Sequence, residues 1–136
     1  MINIEHKLVI KTLSDVVYNA ITTQQGLESW WAKETIAKPE VGFVNVFIFG
    51  TLRNEMEITE LIRNKRVEWK ITKSIDEWVD TTITFDLEEK EGKTILRFGH
   101  NGWRASTDTY AECNYAWARF MTSLKSFCET GTGTPS

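Results

Sequence analysis

Apolar side chains recur along this chain with two different periods, and the change from one to the other outlines a fold. From the start, Ile2, Ile4, His6, Leu8 and Ile10 alternate with Asn3, Glu5, Lys7, Val9 and Lys11. A period of two turns one set toward a core and the other toward water, so this segment predicts a half-buried strand with His6 on its apolar side. The period then lengthens. Ser14 followed by Asp15 reads as a helix N-cap with an acid in the first turn, and Val16, Val17, Ala20 and Ile21 supply a short stripe ending near Thr22 or Thr23. A second short helix is expected from Gln24 to Trp31, weakened by Gly26 and its freer backbone. Together the two predict a helix-turn-helix lid.

After the turn residues Lys38-Pro39-Glu40 and Gly42, the period of two returns. Phe43 to Phe49, Asn54 to Leu61, Arg66 to Lys73, Val79 to Glu88 and Lys93 to His100 read as strands. Polar turns separate them: Phe49-Gly50-Thr51, Arg63-Asn64-Lys65, Ser74-Ile75-Asp76-Glu77 and Glu89-Lys90-Glu91-Gly92. Short turns between consecutive strands predict an antiparallel meander, and one apolar side per strand predicts a sheet with one wet face. Glu55 and Glu57, opposite in parity to Met56 and Ile58, fall on that wet face together with Glu60 and with Arg53, Arg63 and Lys65 as exposed partners.

The last third changes period again. Tyr110, Cys113, Trp117, Phe120, Met121, Leu124 and Phe127 recur at steps of three and four, the apolar face of one long helix that closes at Glu129-Thr130-Gly131. Such a face must be buried, and the curved sheet before it is the available partner. The expected fold class is therefore α+β: an antiparallel curved sheet of six to seven strands gripping a long C-terminal helix, with two short helices after the first strand.

Composition narrows the function. The 136 residues are 41% hydrophobic and 12% aromatic, enough for one substantial core, so a single domain over 1–130 with a flexible tail over 131–136 is expected. A net charge of −3, from 19 acidic and 16 basic residues of mixed placement, leaves no basic stripe for a nucleic acid. No apolar run approaches the roughly 20 residues that span a bilayer. The start Met1-Ile2-Asn3-Ile4-Glu5-His6-Lys7 has no charged segment leading into an apolar one, so a cytoplasmic protein is expected. Cys113 and Cys128 lie fifteen residues apart on the predicted helix, about 22 Å at helical rise, and read as unpaired core thiols. No Gly-rich phosphate loop, nucleophile elbow, CxxC pair or HExxH motif occurs, and neither a metal nor a cofactor is expected.

Four stretches carry a resemblance: Val17-Tyr18-Asn19-Ala20-Ile21-Thr22, Leu27-Glu28-Ser29-Trp30-Trp31, Glu68-Trp69-Lys70 and His100-Asn101-Gly102-Trp103. With the order of elements from Ile4 to about Gly131, they resemble the START-like helix-grip (SRPBCC) superfamily, most of all its group named after the activator of heat-shock-protein ATPase. The resemblance implies a cavity between sheet and long helix, used across the superfamily for lipids, sterols, polyketides and other apolar molecules. It carries no shared catalytic motif.

Against that background the aromatic residues are the candidates. Trp69, Phe85, Phe98, His100, Tyr110, Trp117, Phe120 and Met121 are expected either to line an apolar ligand cavity or to fill it. Trp78, beside the turn Ser74 to Glu77, is expected at a rim. Adjacent residues on a helix point about 100° apart. Trp30 and Trp31 are expected either both to pack the lid or to separate, one plugging the sheet's edge and the other bordering the cavity mouth. The leading expectation is binding of a small, largely apolar molecule. An alternative is a cyclase- or dehydratase-like enzyme in which His100, His6 or Tyr110 moves a proton. Another is an interaction module for a chaperone or regulatory partner.

Overall fold

The computed structural model describes residues 2–136. Ten elements follow in chain order: β1 (Ile2–Ile10), α1 (Ser14–Thr22), α2 (Gln24–Trp30), β2 (Glu34–Ile36), β3 (Val44–Phe49), β4 (Leu52–Ile62), β5 (Arg66–Lys73), β6 (Thr82–Lys90), β7 (Lys93–Trp103) and α3 (Asp108–Thr130). The strands form one seven-stranded antiparallel sheet in the order β1-β7-β6-β5-β4-β3-β2. Apart from β1, which closes onto β7 with Ile4 opposite His100 and His6 opposite Phe98, every strand pairs with its neighbour in sequence. Irregular pairing at Ile2/Asn3, Glu55/Met56 and Ile58/Glu60 marks where the sheet bends. This is the α+β helix grip that the two periods predict.

Helix α3 lies against the concave face along the predicted stripe: Trp117, Met121 and Leu124 are buried, and Tyr110, Cys113, Phe120 and Phe127 pack partly buried beside them. Its ends are well defined. The Thr107 hydroxyl accepts the Tyr110 amide, and Gly131, in the left-handed region at φ 86°, closes the last turn by donating to the Phe127 carbonyl.

Several local expectations are corrected by packing. Ser14 is not the cap of α1: its hydroxyl is buried against Thr94 Oγ1 at 3.1 Å, and the carboxylate of Glu89, reaching from β6, accepts the Ser14 amide at 2.9 Å. The short strand β2 has only three residues, too few to display a period of two. Strand β6 begins at Thr82 and not at Val79, because the Trp78 and Val79 amides turn back to the Ile75 carbonyl and Asp80 sits at φ 71°. Strand β7 runs past His100 to Trp103. On the wet face, Arg53 pairs with Glu55 as expected, whereas Arg66, and not Arg63 or Lys65, gathers Glu60, Glu68 and Asp86.

Gly26 serves packing more than it weakens its helix. A Cβ there would sit 2.7 Å from the Ala20 Cα and carbonyl oxygen, so the missing side chain is what lets α2 approach α1. The C-terminal tail is hydrogen-bonded to the body. Ser136 donates to the Trp31 carbonyl and accepts from the Lys33 amide, and the Thr134 amide reaches the Ser123 hydroxyl, which itself donates to the Trp30 carbonyl. A Cβ on Gly133 would meet the Ser29 carbonyl at 2.5 Å, so this close approach also depends on glycine.

Candidate functional site

The expected cavity lining divides into a sealed interior and an open end. Trp69, Phe85, Phe98 and Trp117 are no more than 2% exposed. Their rings interlock: Trp69 meets Phe85 edge-on at 5.3 Å, Phe85 meets Phe98 at 5.3 Å, and Phe98 meets Trp117 at 4.5 Å. These four fill the grip in place of lining a space within it.

The centre of this interior is held by the second tryptophan of the adjacent pair. Trp31 follows the last residue of α2 with φ −117° and ψ −76°, so the rule of 100° per residue does not govern it. Both tryptophans of the pair are fully buried and stack on each other at 6.0 Å. Trp30 is anchored by its indole N–H on the Ala20 carbonyl at 2.8 Å. Trp31 is ringed by Phe47 at 4.4 Å, Trp117 at 5.2 Å, Phe49 at 5.5 Å, Trp69 at 6.1 Å and Phe120 at 6.2 Å.

His100 is enclosed in the same interior and hydrogen-bonded at both ring nitrogens. Trp117 donates to Nδ1 at 3.0 Å; an indole N–H only donates, so the imidazole carries its proton on Nε2, 2.8 Å from the Thr81 hydroxyl. Thr81 in turn donates to the Trp78 carbonyl. Burial with no countercharge lowers the His100 pKa to about 3, which keeps the ring neutral. Tyr110 is committed as well, donating its hydroxyl to the Asn3 carbonyl at 2.9 Å and so tying α3 to β1. His6 is only half-buried and lies in a groove of about 200 Å³ between β1 and α3, beside Leu8 and Met121.

The thiols are equally quiet. Both cysteines are free; burial raises the pKa of Cys113, against the opposing effect of the Trp78 indole donating to its sulfur at 3.3 Å, and pushes Cys128 up to about 12. Among the described residues no group of three or more His, Cys, Asp or Glu side chains is placed to hold a metal ion. Among the described residues no helix is long and apolar enough to cross a membrane.

Among the open spaces at the surface, one cleft of about 200 Å³ lies where the grip ends and is walled mainly by apolar side chains. Trp31 and Phe120 form part of its wall, joined by Phe49 and Leu52 from the β3–β4 turn and by Ile75 and Trp78 from the β5–β6 loop. Its two polar neighbours satisfy each other, the Ser74 hydroxyl donating to Asn54 Oδ1 at 2.5 Å, while Asn54 Nδ2 donates to the Phe47 carbonyl at 3.1 Å. Of the eight residues expected at a ligand site, Phe120 lines this cleft, and His100 and Tyr110 do not. Trp78 is at the rim, as its place beside a turn predicts. Trp31 is one of the two tryptophans offered for the cavity mouth, whereas Phe49, Leu52 and Ile75 are not among the expected site residues. Ile75 had a readable signal, being an apolar residue inside an otherwise polar turn, and Phe49 had another, being aromatic at a hairpin tip.

A bent antiparallel sheet closed over a C-terminal helix, with two short helices beneath and an apolar cleft at the open end, defines a START-like helix-grip domain. Within that class the chain belongs to the family of the Activator of Hsp90 ATPase homolog 1-like protein, whose model matches residues 11–129. The solution structure of the Aha1 dimer from Colwellia psychrerythraea is similar at a TM-score of 0.91 and 38% identity, covering 98% of this chain and 100% of that one. CalU16 from Micromonospora echinospora is similar at a TM-score of 0.78 and 17% identity over 97% of this chain and 76% of that one. DynU16, a protein of the dynemicin biosynthetic locus, reaches 0.80 at 16% identity over 96% and 48%. At such identities the last two share the fold alone. No curated protein matches the sequence.

Proposed function

We propose that this domain binds a small, largely apolar molecule in the cleft formed by Trp31, Phe49, Leu52, Ile75, Trp78 and Phe120. The observation that carries the reading is the wall itself: large apolar side chains face an open space whose polar neighbours, Asn54 and Ser74, already satisfy each other. At about 200 Å³ the cleft is smaller than the roughly 300–1,000 Å³ of drug-sized sites, so it suits one ring or a short acyl segment. The cyclase-like alternative has less support. His100 is sealed and neutral, Tyr110 is bonded to Asn3, and His6 lines a different groove.

One-ring apolar compounds are expected to bind with Kd between about 10 μM and 1 mM, about −7 to −4 kcal/mol, and to change tryptophan emission. Phe120→Trp fills part of the cleft and is expected to weaken that binding about tenfold while changing stability by less than about 1 kcal/mol. Absence of binding across a panel of such compounds, together with a loss of several kcal/mol in Phe120→Trp, overturns the proposal.

A second reading, self-association, is supported by two observations. The Colwellia relative is a dimer, and the edge of this sheet carries exposed aliphatic side chains on its convex face. Ile36 on β2 lies opposite Val46 on β3, and Val44 shares that face two residues away. Val41 in the preceding loop is also exposed. Sedimentation equilibrium is expected to give twice the chain mass, returning to the single-chain mass in the double variant Ile36→Lys with Val44→Lys. A wild-type protein that sediments as a single chain throughout the accessible concentration range removes this reading.

A further inference from the structure

Three of the six indole N–H groups have acceptors and three do not. Trp30 donates to the Ala20 carbonyl, Trp78 to Cys113 Sγ and Trp117 to His100 Nδ1. The N–H groups of Trp31, Trp69 and Trp103 are enclosed and unpartnered. Most buried polar groups in folded proteins are matched, and an enclosed donor left alone is costly, so each such group asks what it would bond. Trp103 packs beside His100 and Tyr110, away from the cleft. The other two belong together: Trp31 and Trp69 are fully buried and stack nearly parallel, 6.1 Å apart and 13° between planes. Trp31 is also part of the cleft wall.

Two other rings stand beside Trp31 in the cleft wall. Phe49 and Phe120 pack on Trp31 and on each other, at 6.3 Å, and both are only half-buried. A side chain at the solvent boundary changes rotamer at far less cost than one locked in a core. We infer that the molecule taken by the cleft is a neutral carbonyl compound: an apolar body of about one ring whose oxygen passes the Phe120 side chain and accepts the Trp31 N–H, with the Trp69 N–H as the donor next behind it. This inference rests on the cleft being a binding site.

Hydrogen-bond satisfaction selects the class. Indole N–H groups only donate, so a partner must bring an acceptor. A carboxylate would bring one too, but neither lysine nor arginine lines the cleft, and an anion enclosed without a countercharge is heavily penalised. An alcohol or amine would bring a proton of its own that must find an acceptor, a demand that a carbonyl does not make. A ketone, aldehyde or ester satisfies the tryptophans and leaves no donor of its own unmatched.

The test uses a pair of probes of the same shape, acetophenone and α-methylstyrene, in which C=O and C=CH₂ exchange, together with benzoate. Titrations are followed by the indole ¹H–¹⁵N resonances of tryptophan-labelled protein. Acetophenone is expected to bind at least about tenfold tighter than α-methylstyrene, about 1.4 kcal/mol, and to move the Trp31 and Trp69 indole protons downfield. Benzoate is expected not to compete. Trp31→Phe keeps a ring in the wall without the donor and should bring the two neutral probes to equal affinity. If that variant does not fold, the downfield shifts in the wild-type protein still decide. Equal affinity of the two neutral probes, with Phe120→Trp weakening both, overturns the carbonyl inference and leaves the cleft as a binding site. Tightest binding by benzoate also overturns it. Binding by none of the three overturns both readings.

Discussion

Trp117→Ala is expected to lower the free energy of unfolding by about 3–5 kcal/mol in a denaturant titration. The ring is 1% exposed and stands between the sheet, at 4.5 Å from Phe98, and the lid, at 5.2 Å from Trp31, with Trp78 stacked at 6.0 Å. Alanine removes these contacts together, and because Trp31 and Phe98 sit on separate rigid elements the space cannot close by a small shift of either. It also leaves His100 Nδ1 without its donor, an enclosed acceptor unpaired. Trp117→Phe separates the two effects: most of the ring volume stays and the N–H is lost, so a smaller cost of about 1–3 kcal/mol is expected. A loss below about 1 kcal/mol for the alanine variant would place Trp117 outside the core.

Stability is expected to fall as the solution is acidified well before the carboxylates titrate, and His100 is the reason. Its folded pKa of about 3 lies below the ordinary imidazole value of 6.5. Between those limits the unfolded chain holds a proton on this ring that the folded chain does not. The unfolded state therefore binds more protons, and stability rises with pH across the window by up to about 1.4 kcal/mol per unit. Above about pH 6.5 neither state is protonated and the effect vanishes. Moving from pH 7 to pH 5 is expected to cost about 2 kcal/mol. Glu77 and Glu129, whose pKa values are lowered by hydrogen bonds from Thr107 and Lys125 respectively, add their own losses only as the pH falls below the ordinary carboxylate value of 4.5. Urea titrations at a series of pH values should show the slope in the wild-type protein and its absence in His100→Gln. A flat wild-type profile from pH 7 to pH 5 would mean that the imidazole is reached by water or by a countercharge.

The same histidine shows how far parity along a strand can be taken. Its position on β7 put it on the apolar side, and it is there. Parity is a property of the backbone and reads directly from a period of two. A role in proton transfer depends instead on which atoms stand against each ring nitrogen, and those come from Thr81 and from Trp117, nineteen and seventeen positions away in the chain. The cap of α1 teaches the same point: Ser14 has the right chemistry for a cap, but Thr94 and Glu89, eighty and seventy-five positions along the chain, decide where its hydroxyl and amide go.

By itself the sequence determined the order of elements, the face of α3 that meets the sheet and the helix-grip class, because these follow from local periods and from turn residues that act within a few positions. It also determined that the two thiols, held fifteen positions apart on one helix, stay unpaired. Only the tertiary structure decided whether the grip is hollow. That depends on the summed volume of rings brought from β3, β5, β6, β7, α3 and the residue after α2, and on the angles at which they meet, neither of which is periodic in the chain. Trp31, at the centre of those rings, decides between the two alternatives that the pattern leaves open for Trp69, Phe85, Phe98 and Trp117: they fill the grip and do not line a space in it. The opening moves outward to Phe49, Ile75, Trp78 and Phe120, where two loops and one helix end their contact.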